Sequence, residues 1–515
     1  MNDIGESTQL SISMPDRKSN APKKIKALIE MRPALDGFAG IPQETRLLFR
    51  ALCDSRYFEP QGLLQTSLRF LSRGSEKHDR SVGASAADRL NSSSLAVISL
   101  STKPSKQWLD EIFAYIRRRQ VAYRLLLSSL FRGRSHVVRT SLFEARHFGN
   151  FVWDAVFSKS LPSKDFSIVT ERNFEICSIP WHIFQMAGLK SLKFRSRALY
   201  PRLGTVGSAV FIAQTPYPGR VAPGTVLVIR YHDALPIFMP HAFANKAKHH
   251  AAHFQALRSN VESGGYFACV SEATRMDLVK VFPELEARTI TIHNMVSHQY
   301  FREDSPRALV SQILRTSRNE AVCGPLLEIP ARYILMVATI EPRKNHARLM
   351  SALNRVRAGV DPSLAIVFVG SVGWDAVDIV AQMKALAQEG CLHALHKVPA
   401  EQLRVLYRHA TVTVSPSIAE GFDFSGVEAM CSGGVVIASD IPVHREIYAD
   451  AAVYFDPFSA QELAECIASV CYESNSETIR KMLLDRGESV SARYSPEVLL
   501  PKWEAFLSRV VSGAA

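Results

Sequence analysis

The sequence has no long hydrophobic run. Nowhere do about 18 uncharged apolar residues follow one another, and residues 1–24 are polar, without an apolar core of signal-peptide length. We therefore expect a protein that neither crosses a membrane nor carries an export signal. The eight cysteines are scattered without Cys-x-x-Cys pairs, mostly in apolar contexts, which is typical of reduced core thiols. These features predict a cytosolic protein.

Other patterns are also missing. No internal repeat with a period of about 20 to 50 residues is present, which argues against a repeat architecture. The histidines, including His249 and His250, show no convincing metal-ligand spacing. The formal net charge is +12, yet no basic segment is interleaved with aromatic residues as in nucleic-acid-binding modules. We therefore expect neither a bound metal nor a nucleic-acid partner.

Length and composition predict two α/β domains. A chain of 515 residues with 47% hydrophobic content can bury two separate cores. The first domain, residues 23–310, begins with a strand at Lys26–Met31, a glycine loop and a helix at Gln43–Leu52. Residues 1–22 are expected to be disordered, and residues 72–94, rich in Ser, Gly, Arg and Asp, to form a mobile surface insertion.

The second half alternates short apolar runs with helix-length amphipathic segments, which predicts a doubly wound parallel sheet. We expect a linker at residues 311–332, a second domain at 333–495 and a C-terminal helix at 496–515 that packs back on the first domain. The two domains would be Rossmann-like and face a cleft. The predicted strands are Val226–Tyr231, Tyr266–Val270, Thr289–Ile292, Tyr333–Val337, Ala365–Val369, Thr411–Val414 and Val435–Ala438.

The segment from Glu420 to Glu428 carries the strongest chemical pattern. Glu420 follows a predicted strand and a turn, at the carboxyl end of a parallel strand, where open α/β sheets bind ligands. A glycine-containing loop then leads to a helix that we expect to begin near Ser425. Backbone N–H groups there can hold a diphosphate, and the two carboxylates can accept hydrogen bonds from sugar hydroxyls. Alternatively, Ser425 and Glu428 form a capping box and serve only the helix.

A second cluster directly follows the first strand of the second domain. Arg343 and Lys344 stand at the strand end, where a guanidinium fork and an ammonium can clamp a diphosphate. The alternative is a solvated basic pair on a surface helix. In the first domain, His232 follows the strand Val226–Tyr231 and could orient donor or acceptor, or it is a structural histidine.

The stretch from Ile116 to Arg134 is both basic and rich in apolar residues. Such a helix can lie on a membrane surface, with its arginine heads above an apolar face. The interpretation that we favour is an ordinary buried helix with charged ends. The alternative is peripheral attachment to an anionic membrane, which would be the inner face of the plasma membrane.

The two chemical clusters resemble the signature of retaining glycosyltransferases with the GT-B fold, in particular glycosyltransferase family 4, also called glycosyl transferases group 1. The resemblance is close over residues 333–457 and reaches the first domain only at landmarks. It implies that Glu428 binds the donor ribose and Glu420 the transferred sugar. The implied catalytic residues are Glu420, His232, Arg343 and Lys344. The implied donor-binding residues are Gly37, Gly40, Arg343, Lys344, Gly421, Phe422, Asp423, Phe424, Ser425, Gly426 and Glu428.

The resemblance further implies a metal-independent hexosyltransferase without a cofactor, because Arg343 and Lys344 can neutralise the departing diphosphate. The donor would be a nucleotide-diphosphate sugar, with mannose the first expectation. The acceptor would be a saccharide or a lipid-linked saccharide in cell-surface polysaccharide synthesis. Three alternatives stay open: a GT-B-shaped sugar-nucleotide epimerase, a non-catalytic basic nucleic-acid-binding protein, and a degenerate glycosyltransferase that only binds sugar.

Overall fold

The computed structural model describes residues 24–38, 40–72, 85–102, 108–131, 137–242, 246–320, 322 and 330–513. These residues form two α/β domains, each built around its own largely parallel sheet, which confirms the expected fold class. The expected disordered segment 1–22 lies outside the described residues, as do residues 73–84 of the expected surface insertion. The described part of that insertion, from residue 85 onward, enters a helix capped by Ser85 and Asp88.

The described residues of the first domain form ten strands. They are β1 (Ile25–Glu30), β2 (Phe58–Leu64), β3 (Val137–Val138), β4 (Ser141–Phe143), β5 (Phe174–Ile176), β6 (Arg202–Leu203), β7 (Val210–Ala213), β8 (Val226–Tyr231), β9 (Tyr266–Cys269) and β10 (Thr289–Thr291). Eight form one sheet in the order β10-β9-β8-β7-β1-β2-β5-β4, and β3 pairs with β6. Among the described strands of the large sheet, β4 alone runs antiparallel to its neighbour. The central strands are buried on both faces, which explains their continuous apolar runs.

The second domain contains six strands. They are β11 (Tyr333–Val337), β12 (Ala365–Val369), β13 (Leu392–Leu395), β14 (Val412–Ser415), β15 (Val436–Ser439) and β16 (Ala452–Phe455). All are parallel, in the order β13-β12-β11-β14-β15-β16. The order reverses direction between β11 and β14, and parallel sheets bind ligands at such a switch point.

Helices cover both faces of each sheet. In the first half they are α1 (Arg32–Asp36), α2 (Ile41–Cys53), α3 (Ala86–Ser101), α4 (Trp108–Phe131), α5 (Gly149–Val152), α6 (Phe166–Thr170), α7 (Trp181–Ser191), α8 (Leu235–Phe238), α9 (Lys246–Glu262) and α10 (Glu272–Val281). In the second they are α11 (Ala308–Thr316), α12 (His346–Gly359), α13 (Val377–Gln388), α14 (Ala400–His409), α15 (Phe424–Cys431), α16 (Pro442–Tyr448), α17 (Ala460–Cys471), α18 (Ser476–Ser491) and α19 (Pro496–Val511).

The segment expected to link the domains is partly helical. Helix α11 buries Val310, Ile313 and Leu314 against side chains of the second domain, such as Tyr333 and Leu406. These three apolar residues lie on one helix face, so burial rather than solvation determines their structure. The packing boundary between the domains therefore falls before α11. Residues 321 and 323–329 of the expected linker lie outside the described residues.

The stretch 116–134 is described up to residue 131, and one face of it is buried there, as the preferred interpretation of a packed helix with charged ends predicts. Helix α4 buries only Ala122, Leu125, Leu126 and Ser129, while residues 108–117 are exposed throughout. A buried helix requires an apolar face that is covered by other elements, and α4 acquires that cover only in its second half.

The last helix returns to the first domain. Helix α19 places Leu499, Trp503 and Phe506 in the same apolar core as β1 and α2. The indole ring of Trp503 also lies 5.2 Å from the guanidinium of the buried Arg230 on β8. The chain end thus holds the two domains together by hydrophobic burial and a cation–π contact.

Candidate active site between the two domains

The two domains contact each other where the end of β8 meets the loop after β14. A Cβ atom added to Gly421 would lie 1.7 Å from the backbone oxygen of His232. Thr274 of the first domain also donates from Oγ1 to the Gly421 oxygen at 3.5 Å. Only glycine permits this contact, because any side chain would overlap a backbone atom that cannot move aside. The contact brings the predicted residues of both domains to one cleft.

Arg343, Lys344 and Glu420 form one charged cluster. Arg343 Nη1 donates to Glu420 Oε2 at 2.9 Å, and Lys344 Nζ donates to Glu420 Oε1. The Nε atom of Arg343 also lies 2.7 Å from Oε1 of the buried Glu341. The basic pair is therefore held in the cleft by carboxylates and is not a solvated pair on a helix surface.

Burial and neighbouring charges shift the pKa values of Arg343 and Glu420 in opposite directions. Burial lowers the pKa of Arg343, but the carboxylates of Glu420 and Glu341 outweigh it and raise that pKa above its ordinary value. Burial raises the pKa of Glu420, but Lys344 and Arg343 reverse this and hold the pKa below its ordinary value. Arg343 and Glu420 are thus oppositely charged at neutral pH, and the Lys344 amine contacts the same carboxylate.

The turn that presents the basic pair is fixed by Asn345. This residue adopts a left-handed conformation with φ 61° and ψ 36°, between the short 3-10 turn 342–344 and α12. Its side-chain amide donates to the oxygens of Pro416 and Pro457 at 3.0 and 2.8 Å. Asparagine tolerates this conformation better than most residues, and its amide ties the turn to the loop that precedes Glu420.

Glu428 does not cap its own helix. Its Oε1 accepts from Nε2 of Gln43 in the first domain at 2.8 Å, and its Oε2 accepts from the Tyr407 hydroxyl at 3.1 Å. The capping-box alternative for Ser425 and Glu428 is therefore wrong. Burial raises the pKa of Glu428 to about 7, although the hydrogen bonds from Gln43 and Tyr407 act in the opposite direction.

Asp423 takes the role expected of Ser425. Helix α15 begins at Phe424, and Asp423 caps it by accepting from the Ser425 backbone N–H at 3.1 Å and from the Ser425 hydroxyl at 2.7 Å. Burial raises the pKa of Asp423, but hydrogen bonding to His444 and the charge of Lys344 hold it well below its usual range. The Ser425 amide is thus occupied by Asp423, unlike the expectation that it holds phosphate.

The remaining predicted loop residues differ in what they offer a ligand. The rings of Phe422 and Phe424 pack against each other at 5.1 Å, and Phe422 also packs against Tyr494. A Cβ atom on Gly426 would lie 2.4 Å from the Tyr448 ring, so this glycine serves the contact with α16.

The glycine loop of the first domain is braced by a residue that the sequence did not reveal. Buried Arg46 on α2 donates to the backbone oxygens of Ala34, Gly37 and Phe38. Gly40 precedes α2 with φ 69°, a conformation that favours glycine. The position of Gly37 is thereby fixed by one guanidinium. The sequence did contain a signal for this role, because Arg46 lies among the apolar residues of the amphipathic helix α2.

A second missed residue joins the two domains. Glu446 on α16 accepts from the backbone N–H groups of Glu272 and Ala273 at 2.6 and 3.0 Å, at the start of α10. Its Oε1 also lies 2.8 Å from Nε2 of His293. A carboxylate at a helix N-terminus is stabilised by the helix dipole, so Glu446 forms an electrostatic contact across the cleft.

His232 lines a cavity of about 570 Å³ in the first domain. Nε2 of His232 is buried and has no hydrogen-bond partner among the described residues. Burial, with a smaller effect of Arg230, lowers its pKa well below the ordinary value, so the imidazole is neutral at pH 7. Residues that line the cavity include Arg32, Trp181, Thr215, Asp233 and His253. A neutral imidazole with a free nitrogen can bind a hydroxyl group.

Comparison with known proteins agrees with this geometry. Residues 327–482 match the family described as Glycosyl transferases group 1. This segment contains Arg343, Lys344, Glu420 and Glu428. The match falls on the second domain and confirms the resemblance to glycosyl transferases group 1 noted in the sequence.

Several relatives are mannosyltransferases by name. The chain is 25% identical over 247 residues to O-antigen chain mannosyltransferase B of Escherichia coli, which covers 47% of this chain and 60% of that protein. It is 32% identical over 146 residues to the serotype-specific mannosyltransferase WbdA of Escherichia coli, covering 28% of this chain and 18% of that protein. The match thus spans less than two thirds of each of these relatives.

A solved structure extends the similarity to both domains. Sucrose-phosphate synthase from Thermosynechococcus elongatus superposes with a TM-score of 0.52 at 15% identity, covering 96% of this chain and all of that one. The fold is accordingly GT-B. Within the described residues, no helix is long and apolar enough to span a membrane, and no group of three or more His, Cys, Asp or Glu side chains is placed to hold a metal ion.

Proposed function

We propose that this protein transfers a hexose, mannose in the first instance, from a nucleotide-diphosphate sugar to a saccharide or lipid-linked saccharide. The observation that carries the proposal is the cluster of Arg343, Lys344 and Glu420, which lies where the two domains meet at Gly421. The names of the O-antigen mannosyltransferase relatives support mannose and cell-surface polysaccharide synthesis.

The basic pair would stabilise the leaving group. A departing diphosphate gains negative charge as the glycosidic bond breaks, and preorganised cations in a cleft that excludes water stabilise that charge most effectively. Glu420 holds both cations in place before the donor arrives, and it can then accept hydrogen bonds from sugar hydroxyls. Because two cations supply the charge, the reaction needs no metal.

The cavity beside His232 would receive the acceptor. Sugars stack on aromatic rings, and the Trp181 ring lines this cavity while Arg32 lies 4.5 Å above it. The unpartnered Nε2 of the neutral His232 can position an acceptor hydroxyl. In a retaining reaction the leaving phosphate itself takes the proton of that hydroxyl, on the same face from which it departs, and no covalent enzyme intermediate forms.

The reaction would take place in the cytosol. Among the described residues no cysteine forms a disulfide, which fits a reducing compartment.

The test is to incubate the purified full chain with GDP-mannose, GDP-fucose, UDP-glucose and UDP-N-acetylglucosamine. Thermal shift measures binding, and chromatography measures slow release of the nucleoside diphosphate without acceptor. We expect one donor to stabilise the protein and to be hydrolysed. Conversion to another sugar nucleotide without release would instead identify an epimerase, and binding without any turnover would identify a degenerate enzyme. With an acceptor saccharide, NMR of the product should show the anomeric configuration of the donor.

A further inference from the structure

The first half of α4 is an exposed apolar segment. Every residue from 108 to 117 is exposed, and Trp108 and Phe113 expose 69% and 66% of their surface. The large apolar residues exposed in this half are Trp108, Leu109, Ile112, Phe113, Tyr115 and Ile116. Soluble proteins rarely expose so many neighbouring large apolar side chains without a binding role.

Positive charge lies directly beside these residues. Arg117, Arg118 and Arg119 follow the apolar half, and Arg124 lies on the next turns, whereas the acidic residues of α4 are confined to its first turn. The Arg117 guanidinium lies 4.4 Å from the centre of the Phe70 ring, and that of Arg119 lies 5.5 Å from the Tyr115 ring. Both arginines thus rest on aromatic rings and leave their charge accessible.

A segment distant in sequence extends this surface. Helix α7 packs against α4, and the Lys190 ammonium at its end lies 4.0 Å above the Tyr123 ring. The exposed residues Lys193, Phe194 and Arg195 follow, and Phe194 is 72% exposed. We call residues 108–124 and 190–195 together the basic-apolar surface. It combines exposed aromatic rings and cations from two segments that are far apart in the chain.

We propose that the basic-apolar surface docks on an anionic lipid membrane. Aromatic side chains insert at the level of the headgroups, and arginine and lysine bind lipid phosphates. Charge complementarity selects this occupant over a second copy of the chain, because a two-fold contact would place the arginines of both copies against each other. A neutral membrane would satisfy only the apolar residues.

The surface is connected to the cavity beside His232 through α7. Its first residue, Trp181, lines that cavity, and its other end carries Lys190. Eleven residues of helix span roughly 15 Å, which is within reach of the headgroup of a membrane-bound molecule. That this surface presents a lipid-linked acceptor rests on the proposed function, whereas docking on the membrane does not.

Vesicle sedimentation tests the proposal with the full chain. The vesicles are pure phosphatidylcholine, or phosphatidylcholine with about a third phosphatidylglycerol. Two variants are compared with the wild type: Trp108→Ser with Phe113→Ser, and Arg117, Arg118 and Arg119 changed to Gln. The matched control changes three exposed cations in and between helices α18 and α19, Lys481, Arg493 and Lys502, to Gln. Because the substituted α4 residues contact little of the core, all variants should keep the wild-type melting temperature.

We expect the wild type and the matched control to bind anionic vesicles at least roughly tenfold better than neutral ones, and less in about 0.5 M salt. Both α4 variants should lose most of this binding. Equal sedimentation of the α4 variants and the matched control would overturn the proposal. So would a wild type that dimerises through this surface in analytical ultracentrifugation and ignores vesicles. Donor hydrolysis without acceptor, measured in parallel, reports on the proposed function alone and should not change.

Discussion

Gln43 of the first domain donates a hydrogen bond from its side-chain amide to the Glu428 carboxylate of the second at 2.8 Å, and both side chains are buried. Glu428 is also the residue proposed to bind the donor ribose. The two carboxylate oxygens of Glu428 thus already accept one hydrogen bond each, Oε1 from Gln43 and Oε2 from Tyr407. A ribose hydroxyl that binds Oε1 would compete with Gln43 for this oxygen, so we expect the bond to couple the domain arrangement to donor binding.

Removal of the amide should tighten donor binding. In Gln43→Ala no group competes for Oε1 of Glu428, and a hydrogen bond to a charged group contributes about 1.5–3 kcal/mol. We expect the dissociation constant of the donor, measured by calorimetry, to fall roughly tenfold or more. Glu428→Gln should weaken binding in the same assay. Weaker donor binding in Gln43→Ala would contradict this competition between Gln43 and the donor. It would instead indicate that Gln43 itself contacts the donor.

The Glu428 carboxyl should make stability depend on pH. Its pKa rises from 4.5 to about 7 on folding, so between these values the folded state binds a proton that the unfolded state has released. Stability from this group is therefore greatest below pH 4.5 and is lost as pH rises through 7. At pH 8 the free energy of unfolding of Glu428→Gln, measured by denaturant titration, should exceed that of the wild type by up to roughly 3 kcal/mol. Near pH 5 the two free energies should differ little. A constant difference across this range would contradict the burial of a carboxyl that protonates.

The basic pair should dominate turnover. In the double variant Arg343→Ala and Lys344→Ala, loss of two charge-assisted bonds of about 1.5–3 kcal/mol each predicts at least a hundredfold lower rate of donor hydrolysis. The control is Arg355→Ala with Lys384→Ala, which removes the same charge from exposed helix positions of the same domain. Wild-type turnover in the first variant, or an equal loss in the control, would refute the assignment.

Gly421→Ala should separate the domains without unfolding either one. The new methyl group would lie 1.7 Å from the His232 backbone oxygen, and we expect a shift between the two domains to relieve this overlap. We expect a larger radius of gyration in small-angle X-ray scattering and loss of donor hydrolysis, with unchanged helix content by circular dichroism. Gly359→Ala is the control, because a Cβ atom there would meet nothing within 4 Å. An unchanged radius with full activity would show that this contact does not set the domain arrangement.

The sequence alone determined the elements whose signal is local. The strands at Val226–Tyr231, Tyr333–Val337 and Ala365–Val369 were predicted with the observed bounds, because a strand buried on both faces is a continuous apolar run. Arg343 and Glu420 could be selected because parallel strands place their carboxyl ends at one edge of the sheet. Neither inference needs to know which distant residues meet.

Only the tertiary structure decided the contacts between distant residues. The Gln43–Glu428 bond joins positions separated by 385 residues. The sequence suggested a capping box between Ser425 and Glu428 instead, because that alternative involves only neighbouring residues. The exposure of α4 likewise depends on which elements cover it, and an amphipathic pattern does not specify its cover. Local propensity and apolar periodicity therefore fixed where strands and helices lie, whereas burial, domain contact and the charge environment of the site arose from packing between segments far apart in the chain.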